Sequence, residues 1–250
     1  MSLSTKIAIP SGINSGVSSA KQATMLSLLG SPRKNFNEHC QEVTHPKLKP
    51  LIVTGDVGPF RATGLKPALE SLKKVFADVK AEKPALHSAV GSAGMLCARL
   101  VRGSQHSISN HSWGTAIDLT IDGKLDSRGD GTVFKGLVEI FPFFNKHGWF
   151  WGAGFRTEDG MHFEVSDGKI REWAKNGLLG SGITEPKEIL SLGDRGPDVR
   201  KLQEDLNKHG FELKVDGEFG RGTLAAVMAF QADNGLAVDG VVGKATQAKL

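Results

Sequence analysis

The apolar and polar positions along the chain predict four helices in its first two thirds. Apolar side chains recur at helical spacing over residues 18–29 and 65–81, and the second pattern forms the face of an amphipathic helix. A third helix is predicted over 133–147, where Pro142 is expected to kink or interrupt it. A fourth, short helix over 169–177 ends at a glycine.

Short strands are predicted between these helices. They are apolar runs or alternate between apolar and polar residues: LIVTG at 51–55, TAIDLTID at 115–122 and MHFEV at 161–165. Residues 89–103 are largely apolar and are expected to be buried, whereas the first 17 residues are rich in Ser, Gly and Pro and are expected to be irregular. Helices and strands together indicate an α+β domain over residues 1–177, with a small antiparallel sheet flanked by helices.

The composition and the periodicity of the sequence change after residue 177. Residues 178–188 carry Gly, Ser, Thr and Pro without periodicity, as a linker does, and residues 189–250 are expected to form a separate domain. Within it VDGEFGRGT at 215–223 repeats weakly as VDGVVGKAT at 238–246, and each copy predicts a tight Asp-Gly turn that leads into a helix. The domain is expected to hold three helices: 199–210, 223–235 and one from about Lys244.

Composition and charge narrow the class of protein. Lys and Arg total 31 against 27 acidic residues, giving +4, and the basic residues are dispersed, so no nucleic-acid partner is expected. No apolar run approaches the ~20 residues that a membrane helix needs, and the first residues lack the basic and apolar segments of a secretory signal. We therefore expect a monomer that does not insert into a membrane, is made in the cytoplasm, and needs another protein to release it.

The chain has two cysteines, Cys40 and Cys97. Neither belongs to a CxxC pair, so a thiolate zinc site is not expected. The two can form one disulfide that closes a long loop, or remain two buried thiols. The missing secretory signal favours thiols.

Two short segments carry side chains that bind metals. SNHSWGTAID (109–118) places His111 seven residues before Asp118, and DGMHFE (159–164) adds His162 on another predicted strand. Imidazole nitrogen and carboxylate oxygen are good zinc ligands, and three protein ligands leave a fourth position for water, as catalytic zinc sites do. The spacing by itself is a weak indication, because a His and an Asp at this separation also occur by chance.

Hydrolysis at such a site needs a carboxylate that takes a proton from the attacking water and passes it to the leaving amine. Asp159, three residues before His162, is the expected general base. Glu158 and Glu164 are alternatives. Glu164 is expected on the same strand face as His162, where it can instead hydrogen-bond a metal ligand.

SNHSWGTAID fits every fixed position of the motif SxHxxGxAxD, and in this the chain resembles the family of zinc D-alanyl-D-alanine carboxypeptidases and L-alanyl-D-glutamate endopeptidases. DGMHFE resembles the second motif of that family, a carboxylate separated from a His by two residues. The resemblance covers roughly residues 38–170 and implies that His111, Asp118 and His162 bind Zn²⁺ and that Asp159 is the general base. Some members carry Glu in place of this Asp, which keeps Glu158 open.

The same resemblance implies an arginine upstream of the first motif that binds a substrate carboxylate or the oxyanion. Arg102 is preferred because it ends the apolar segment, and Arg99 is the alternative. Ser109 fills the first Ser of the motif and is expected to help orient the site, and Ser109 and Trp113 are both expected to contact substrate. Three aromatic side chains are expected either to line the cleft or to lie in the core, and the cleft is not preferred over the core: Trp113, Trp149 and Trp151.

Residues 189–250 resemble the three-helix peptidoglycan-binding domain attached to many wall hydrolases, on LGDRGPDVRKLQEDLNKHGF, VDGEFGRGTLAAVMAFQADNGLAVDG and VVGKATQAKL. Together the two resemblances imply a zinc-dependent hydrolase of bacterial peptidoglycan that looks like a phage endolysin, acts in the periplasm after release, and cuts the L-Ala–D-Glu bond of the stem peptide. A D-Ala-D-Ala carboxypeptidase, a host wall-remodelling peptidase and a catalytically inactive binding module are the alternatives.

Overall fold

The computed structural model describes residues 2–180 and 189–250. Contacts divide the chain into two compact units, Met1–Ile183 and Thr184–Leu250, and each unit has its own hydrophobic core. Most of the predicted linker, from residue 181 to 188, lies outside the described residues. Within the described ranges, no helix has the length and apolar character needed to span a bilayer.

The described part of the first unit combines short strands with five α-helices, which makes it the α+β fold that the sequence predicts. In chain order the elements are β1 (Lys6–Ala8), α1 (Gln22–Leu29), β2 (Ile52–Asp56), β3 (Arg61–Leu65), α2 (Lys66–Glu82), α3 (Pro84–Ala89), β4 (Val90–Gly94), β5 (Ala116–Ile121), β6 (Lys124–Leu125), β7 (Thr132–Phe134), α4 (Lys135–Lys146), β8 (Trp149–Trp151), β9 (His162–Val165) and α5 (Asp167–Lys175).

The largest sheet has the strand order β4-β5-β9-β8, with every neighbouring pair antiparallel, and β6 pairs with the far end of β5. Side chains of β5 alternate between its two faces. Ile117, Leu119 and Ile121 are fully buried in the core, whereas Asp118 and Thr120 are half-buried on the opposite face. The alternation in the sequence therefore places Asp118 on the face of the sheet that is opposite the core.

Helices α2 and α4 cover the closed side of the sheet through an aromatic core. The Phe144 ring contacts the rings of Phe76, Trp149 and Phe163 at centroid distances of 5.9, 5.7 and 4.3 Å. The indole nitrogen of Trp149 donates to Ser71 Oγ, and that of Trp151 donates to Gly160 O. Of the two places predicted for Trp149 and Trp151, the cleft and the core, the structure shows the core, because both side chains are fully buried.

Three elements differ from their predictions. Helix α4 continues across Pro142, whose exposed position lets solvent replace the missing backbone hydrogen bond. Helix α1 begins at Gln22 rather than residue 18, because Lys21 is extended and the backbone N–H groups of Ala20 and Lys21 donate to Glu164 and Asp167. The first 17 residues, expected to be irregular, contain β1, which pairs with β7 in a two-stranded sheet.

The two cysteines are joined. Cys40 and Cys97 form a disulfide with their Cα atoms 5.0 Å apart, so the preference for free thiols was wrong. An adjacent antiparallel bridge between Gln41 and Ala98 runs beside it. The disulfide thus fastens an irregular segment to the chain that precedes the first metal-binding motif.

The second unit contains α6 (Pro197–Lys208), α7 (Arg221–Asp233) and the short α8 (Lys244–Gln247), as the three predicted helices require. Its core holds the apolar positions that the helical spacing marks, among them Val199, Leu206, Val227 and Phe230. The weak sequence repeat corresponds to a structural repeat, because one buried glutamine fixes each Asp-Gly turn.

The two glutamines make equivalent bonds. Gln203 accepts from Gly217 N at 2.8 Å, and Gln231 accepts from Gly240 N at 2.9 Å. The side-chain nitrogen of each donates to an Asp, a backbone carbonyl and a Thr hydroxyl: Asp216, Glu218 and Thr223 in the first copy, and Asp239, Val241 and Thr246 in the second. The repeat therefore encodes two copies of one turn-and-helix unit.

Candidate metal centre

His111 lies on a single helical turn, Asn110–Trp113, which ends at Gly114 in the left-handed conformation with φ 65°. The Gly114 N–H donates to His111 O at 3.0 Å, and Leu65 N–H donates to Gly114 O at 2.9 Å. A Cβ at position 114 would lie 2.7 Å from both Gly64 Cα and Leu65 N. Two features therefore require a glycine at position 114: the left-handed backbone conformation and the close approach of β3.

The antiparallel register of β5 and β9 places Asp118 directly opposite His162. Asp118 Oδ1 lies 3.2 Å from His111 Nε2 and 3.1 Å from His162 Nδ1, and the two nitrogens are 3.2 Å apart. Ligand atoms around a tetrahedral zinc ion with bonds of 2.0–2.1 Å are separated by about 3.3 Å. The three atoms thus have the mutual spacing of three corners of such a site.

Each imidazole is oriented by a group behind it. His111 Nδ1 lies 2.8 Å from Met95 O, and His162 Nε2 lies 3.0 Å from Glu164 Oε2. Because a carbonyl and a carboxylate oxygen accept hydrogen bonds, these nitrogens carry protons, and in the neutral imidazoles that bind a metal this leaves lone pairs on His111 Nε2 and His162 Nδ1. The lone pairs converge on one point, an arrangement that a cation between them stabilises.

The electrostatics of the site favour positive charge at this point. Burial raises the pKa of Asp118, but hydrogen bonds with His111 and His162 outweigh it and hold that pKa well below its usual range. Burial likewise disfavours charge on His162, yet its bonds to Asp118 and Glu164 raise its pKa to about 10. Without a metal this positive charge is a proton on His162, and a cation bound to Nδ1 takes the place of that proton. The nitrogen and oxygen donors of the site suit Zn²⁺.

Asp159 precedes β9 and has one oxygen available for proton transfer. Among the described residues its buried Oδ1 has no hydrogen-bond partner, and its Oδ2 lies 3.7 Å from Arg128 Nε. Burial raises the pKa of Asp159 and the charge of Asp118 raises it further, while His162 and Arg128 oppose them. A buried acceptor oxygen with a raised pKa suits a general base.

The other two carboxylates predicted as bases have different surroundings. Glu158 Oε1 accepts a 2.7 Å hydrogen bond from Gly131 N, which directs the side chain to the turn at 129–131. Glu164 is only 3% exposed and lies behind His162, beside the nitrogen that does not face the metal position. Its position is that of a group that orients a ligand.

Two arginines lie near Asp159: Arg128, whose Nε is 3.7 Å from Asp159 Oδ2, and Arg99, whose pKa is affected by the charge of Asp159. The pKa of the half-buried Arg99 is lowered, mainly by burial and also by the neighbouring Arg102. The charges of Asp118 and Asp159 oppose this shift without cancelling it. Arg102, the preferred candidate, lies in an exposed turn. Arg128 was not among the candidates from the sequence. Its Asp-Ser-Arg-Gly-Asp-Gly segment predicts only a turn, and no spacing links it to Asp159.

Ser109 directly precedes the turn that carries His111, and Trp113 is the last residue of that turn. Ser109 is buried, donates through its backbone to Arg99 O at 3.0 Å and accepts from Ser112 N at 2.8 Å, so it anchors the start of the turn. Trp113 was predicted to contact substrate, and this was wrong. Its side chain is fully buried and its indole N–H donates to Gly30 O at 2.8 Å.

Comparisons with known families cover both units. Residues 102–165 match the sequence model of the family described as D-alanyl-D-alanine carboxypeptidase. This range includes the three candidate metal ligands and Asp159. Residues 195–250 match the model of a peptidoglycan binding domain.

Relatives match over short stretches. The zinc D-Ala-D-Ala carboxypeptidase of Streptomyces albus G is 45% identical over 64 residues, which are 24% of this chain and 25% of that protein. A spore cortex-lytic enzyme of Bacillus cereus is 44% identical over 64 residues, 25% of each. Among solved structures, a Burkholderia AP3 phage endolysin is 48% identical with a TM-score of 0.24, covering 24% of this chain and 23% of that one. The chain thus spans about a quarter of the length of these relatives.

Proposed function

We propose that this protein is a zinc metallopeptidase that hydrolyses bacterial peptidoglycan. Its residues 102–165 match the D-alanyl-D-alanine carboxypeptidase family, and its residues 195–250 match the peptidoglycan-binding family. The observation that carries the proposal is the convergence of His111 Nε2, Asp118 Oδ1 and His162 Nδ1 within 3.1–3.2 Å of one another. When bound there, Zn²⁺ lowers the pKa of water and polarises a carbonyl group.

Asp159 acts as the general base in this proposal. Its unpartnered buried oxygen accepts the proton of the attacking water and returns it to the leaving amine of the cut peptide bond. Burial supports both halves of this role, because a carboxylate with a raised pKa takes up a proton readily and holds it until the amine leaves.

Arg99 binds the substrate carboxylate, with Arg102 as the alternative on the same segment. Arg99 is half-buried and close enough to Asp118 and Asp159 for their charges to act on it. A guanidinium is suited to this task because it presents parallel N–H donors to the two oxygens of a carboxylate. Ser109 contributes by anchoring the turn that carries His111.

The bond cut is the L-Ala–D-Glu bond of the stem peptide, and the protein acts as a phage endolysin. Lysis requires that the peptidoglycan mesh be broken, which cleavage within the stem achieves and removal of a terminal D-Ala does not. In this proposal the protein is a monomer made in the host cytoplasm, and it reaches the wall after release. The second unit tethers the enzyme to the wall and raises the local concentration of bonds around the site.

The test combines purified cell walls with mass spectrometry of the new amino termini, with and without a chelator. A new amine on D-Glu supports the endopeptidase, and free D-Ala supports the carboxypeptidase that the family description names. No product from zinc-loaded protein contradicts both. A chelator is expected to abolish either product, and zinc to restore it.

Three variants separate the roles within the site. His111→Ala is expected to lose zinc and activity together. Asp159→Asn is expected to keep zinc and lose about 10²–10⁴-fold in rate, the contribution of a positioned general base. Glu158→Gln is the matched control, because it changes a neighbouring carboxylate that bonds to a turn. If Glu158→Gln loses the activity and Asp159→Asn retains it, the base is Glu158.

A further inference from the structure

Glu164 is a buried carboxylate with four hydrogen bonds. Its Oε2 accepts from His162 Nε2 at 3.0 Å and from Asn110 Nδ2 at 2.9 Å. Its Oε1 accepts from Ser19 Oγ at 2.5 Å and from the backbone N–H of Ala20 at 3.2 Å. One oxygen therefore holds a candidate metal ligand, while the other is held by a segment more than 140 residues away in sequence.

That segment is residues 14–21, which we call the N-terminal strap. Asn14 exchanges two side-chain hydrogen bonds with the backbone of Trp151, at 2.9 and 2.8 Å. Lys21 N donates to Asp167 Oδ1, and Asp167 N donates to Ser18 O, both at 3.0 Å. The strap is thus bonded to the end of β8, to Glu164 on β9 and to the start of α5. It lies outside residues 102–165, which match the peptidase family.

We propose that the N-terminal strap is a working part of the zinc centre, and that Ser19 and Glu164 are positioning residues for His162. The proposal rests on the zinc site of the proposed function but not on the reaction or the bond cut. A buried carboxylate is stable only where donors compensate its charge, and the two donors from the strap fix the rotamer of Glu164. A fixed Glu164 keeps the His162 ring turned so that Nδ1 faces Asp118 and the metal position.

Zinc affinity, measured by competition with a chromophoric chelator on the full chain, tests this chain of contacts. Glu164→Gln is expected to weaken zinc binding by about 10–100-fold, the usual cost of losing a partner of a ligating His. Ser19→Ala is expected to weaken it by more than about twofold but less than Glu164→Gln does. The matched control is Ser15→Ala, because Ser15 lies in the strap, is exposed, and its hydroxyl donates to Gly12 O. Ser15→Ala is expected to bind zinc as the wild type does.

A double-mutant cycle separates positioning from a general effect on the fold. If Ser19 acts through Glu164, then Ser19→Ala has little further effect on zinc affinity when Glu164→Gln is already present. The visible spectrum of the Co²⁺-loaded protein gives a second readout, and both positioning variants are expected to change it while Ser15→Ala does not. If the Glu164→Gln variant does not fold, the zinc affinity of Ser19→Ala tests the proposal by itself, because Ser19 is half-exposed.

Two results would overturn the inference alone, and a third would overturn it together with the proposed function. Wild-type affinity in Ser19→Ala means that the strap does not act on the metal centre, and the proposed hydrolase stands. Equal losses from Ser19→Ala in both backgrounds mean that the strap only stabilises the fold. Failure of the wild-type protein to bind zinc overturns the inference and the proposed function together.

Discussion

Gly114→Ala tests why the first motif contains a glycine between two candidate metal ligands. In the structure, Gly114 has φ 65°, and a Cβ there would lie 2.7 Å from Gly64 Cα and Leu65 N. Both neighbours are backbone atoms, so no side-chain rotation relieves the overlap. Either β3 or the turn that carries His111 has to move.

The expected loss of stability is the sum of two costs. A non-glycine residue in the left-handed conformation costs about 1–2 kcal/mol. Overlap in a packed interior costs about 1–3 kcal/mol more. Gly123→Ala isolates the first cost, because Gly123 also has a left-handed φ, 71°, and a Cβ there would have no neighbour within 4 Å. We therefore expect Gly114→Ala to lose about 2–5 kcal/mol and Gly123→Ala about 1–2 kcal/mol.

Urea unfolding of the metal-free protein, followed by tryptophan fluorescence, measures this difference. The chain has four tryptophans and no tyrosine, and all four tryptophans lie in the first unit: Trp113, Trp149, Trp151 and Trp173. The signal therefore reports the unit that contains Gly114. With a slope of about 2 kcal/mol per M, the two variants are expected to differ in midpoint by roughly 0.5–1.5 M urea.

Equal midpoints for the two variants would refute the steric part of the reasoning. The left-handed backbone would then account for the whole loss, and the close approach of Gly114 to β3 would have no energetic weight. Zinc affinity adds a second check. If β3 forces the turn to move, Gly114→Ala binds zinc less tightly than Gly123→Ala.

The remaining predictions concern metal removal, acid and the second unit. Chelation is expected to lower the unfolding temperature that tryptophan fluorescence reports, because zinc binds only the folded site, and an unchanged temperature would argue against a bound metal. Hydrogen bonds from Lys146 and His147 lower the pKa of Asp78, so its stabilising contribution is full above its unfolded value of about 3.9 and is lost as the pH falls through the folded pKa. Asp78→Asn should accordingly reduce stability to urea at pH 7, and this loss should shrink as the pH falls through the folded pKa of Asp78. A loss that is the same at every pH would contradict this. Gln231→Ala leaves several buried groups of the second Asp-Gly turn unpaired, and is expected to cost the second unit about 2–4 kcal/mol, measured as a lower transition temperature by calorimetry. Gln203→Ala should match it, and unequal losses would show that the two repeats are not equivalent in stability.

Local periodicity predicted most of the regular structure. Helix α2 begins and ends within one residue of the predicted 65–81, and β5 lies inside the predicted 115–122. Both predictions succeed because one face of each element is buried, so the apolar residues in the sequence mark the face that packs on the core. Strand β1 could not be found in this way, since it has three residues and its partner β7 is more than 120 residues away.

The sequence by itself determined the set of candidate metal ligands and indicated that the chain divides into two units. His111, Asp118 and His162 stand in two short motifs, and the spacing within a motif is a local property of the chain. The glutamine-bound Asp-Gly turns are also visible in outline, because the repeat preserves their Asp and Gly.

Only the tertiary structure decided which side chains surround the metal position. It turned Trp113 into the core, directed Glu158 to a turn, and joined Cys40 to Cys97. It also brought Arg128 to Asp159 and Ser19 to Glu164. These outcomes depend on contacts between distant segments, and the direction of a side chain at such a contact follows from the packing of both partners rather than from either sequence alone.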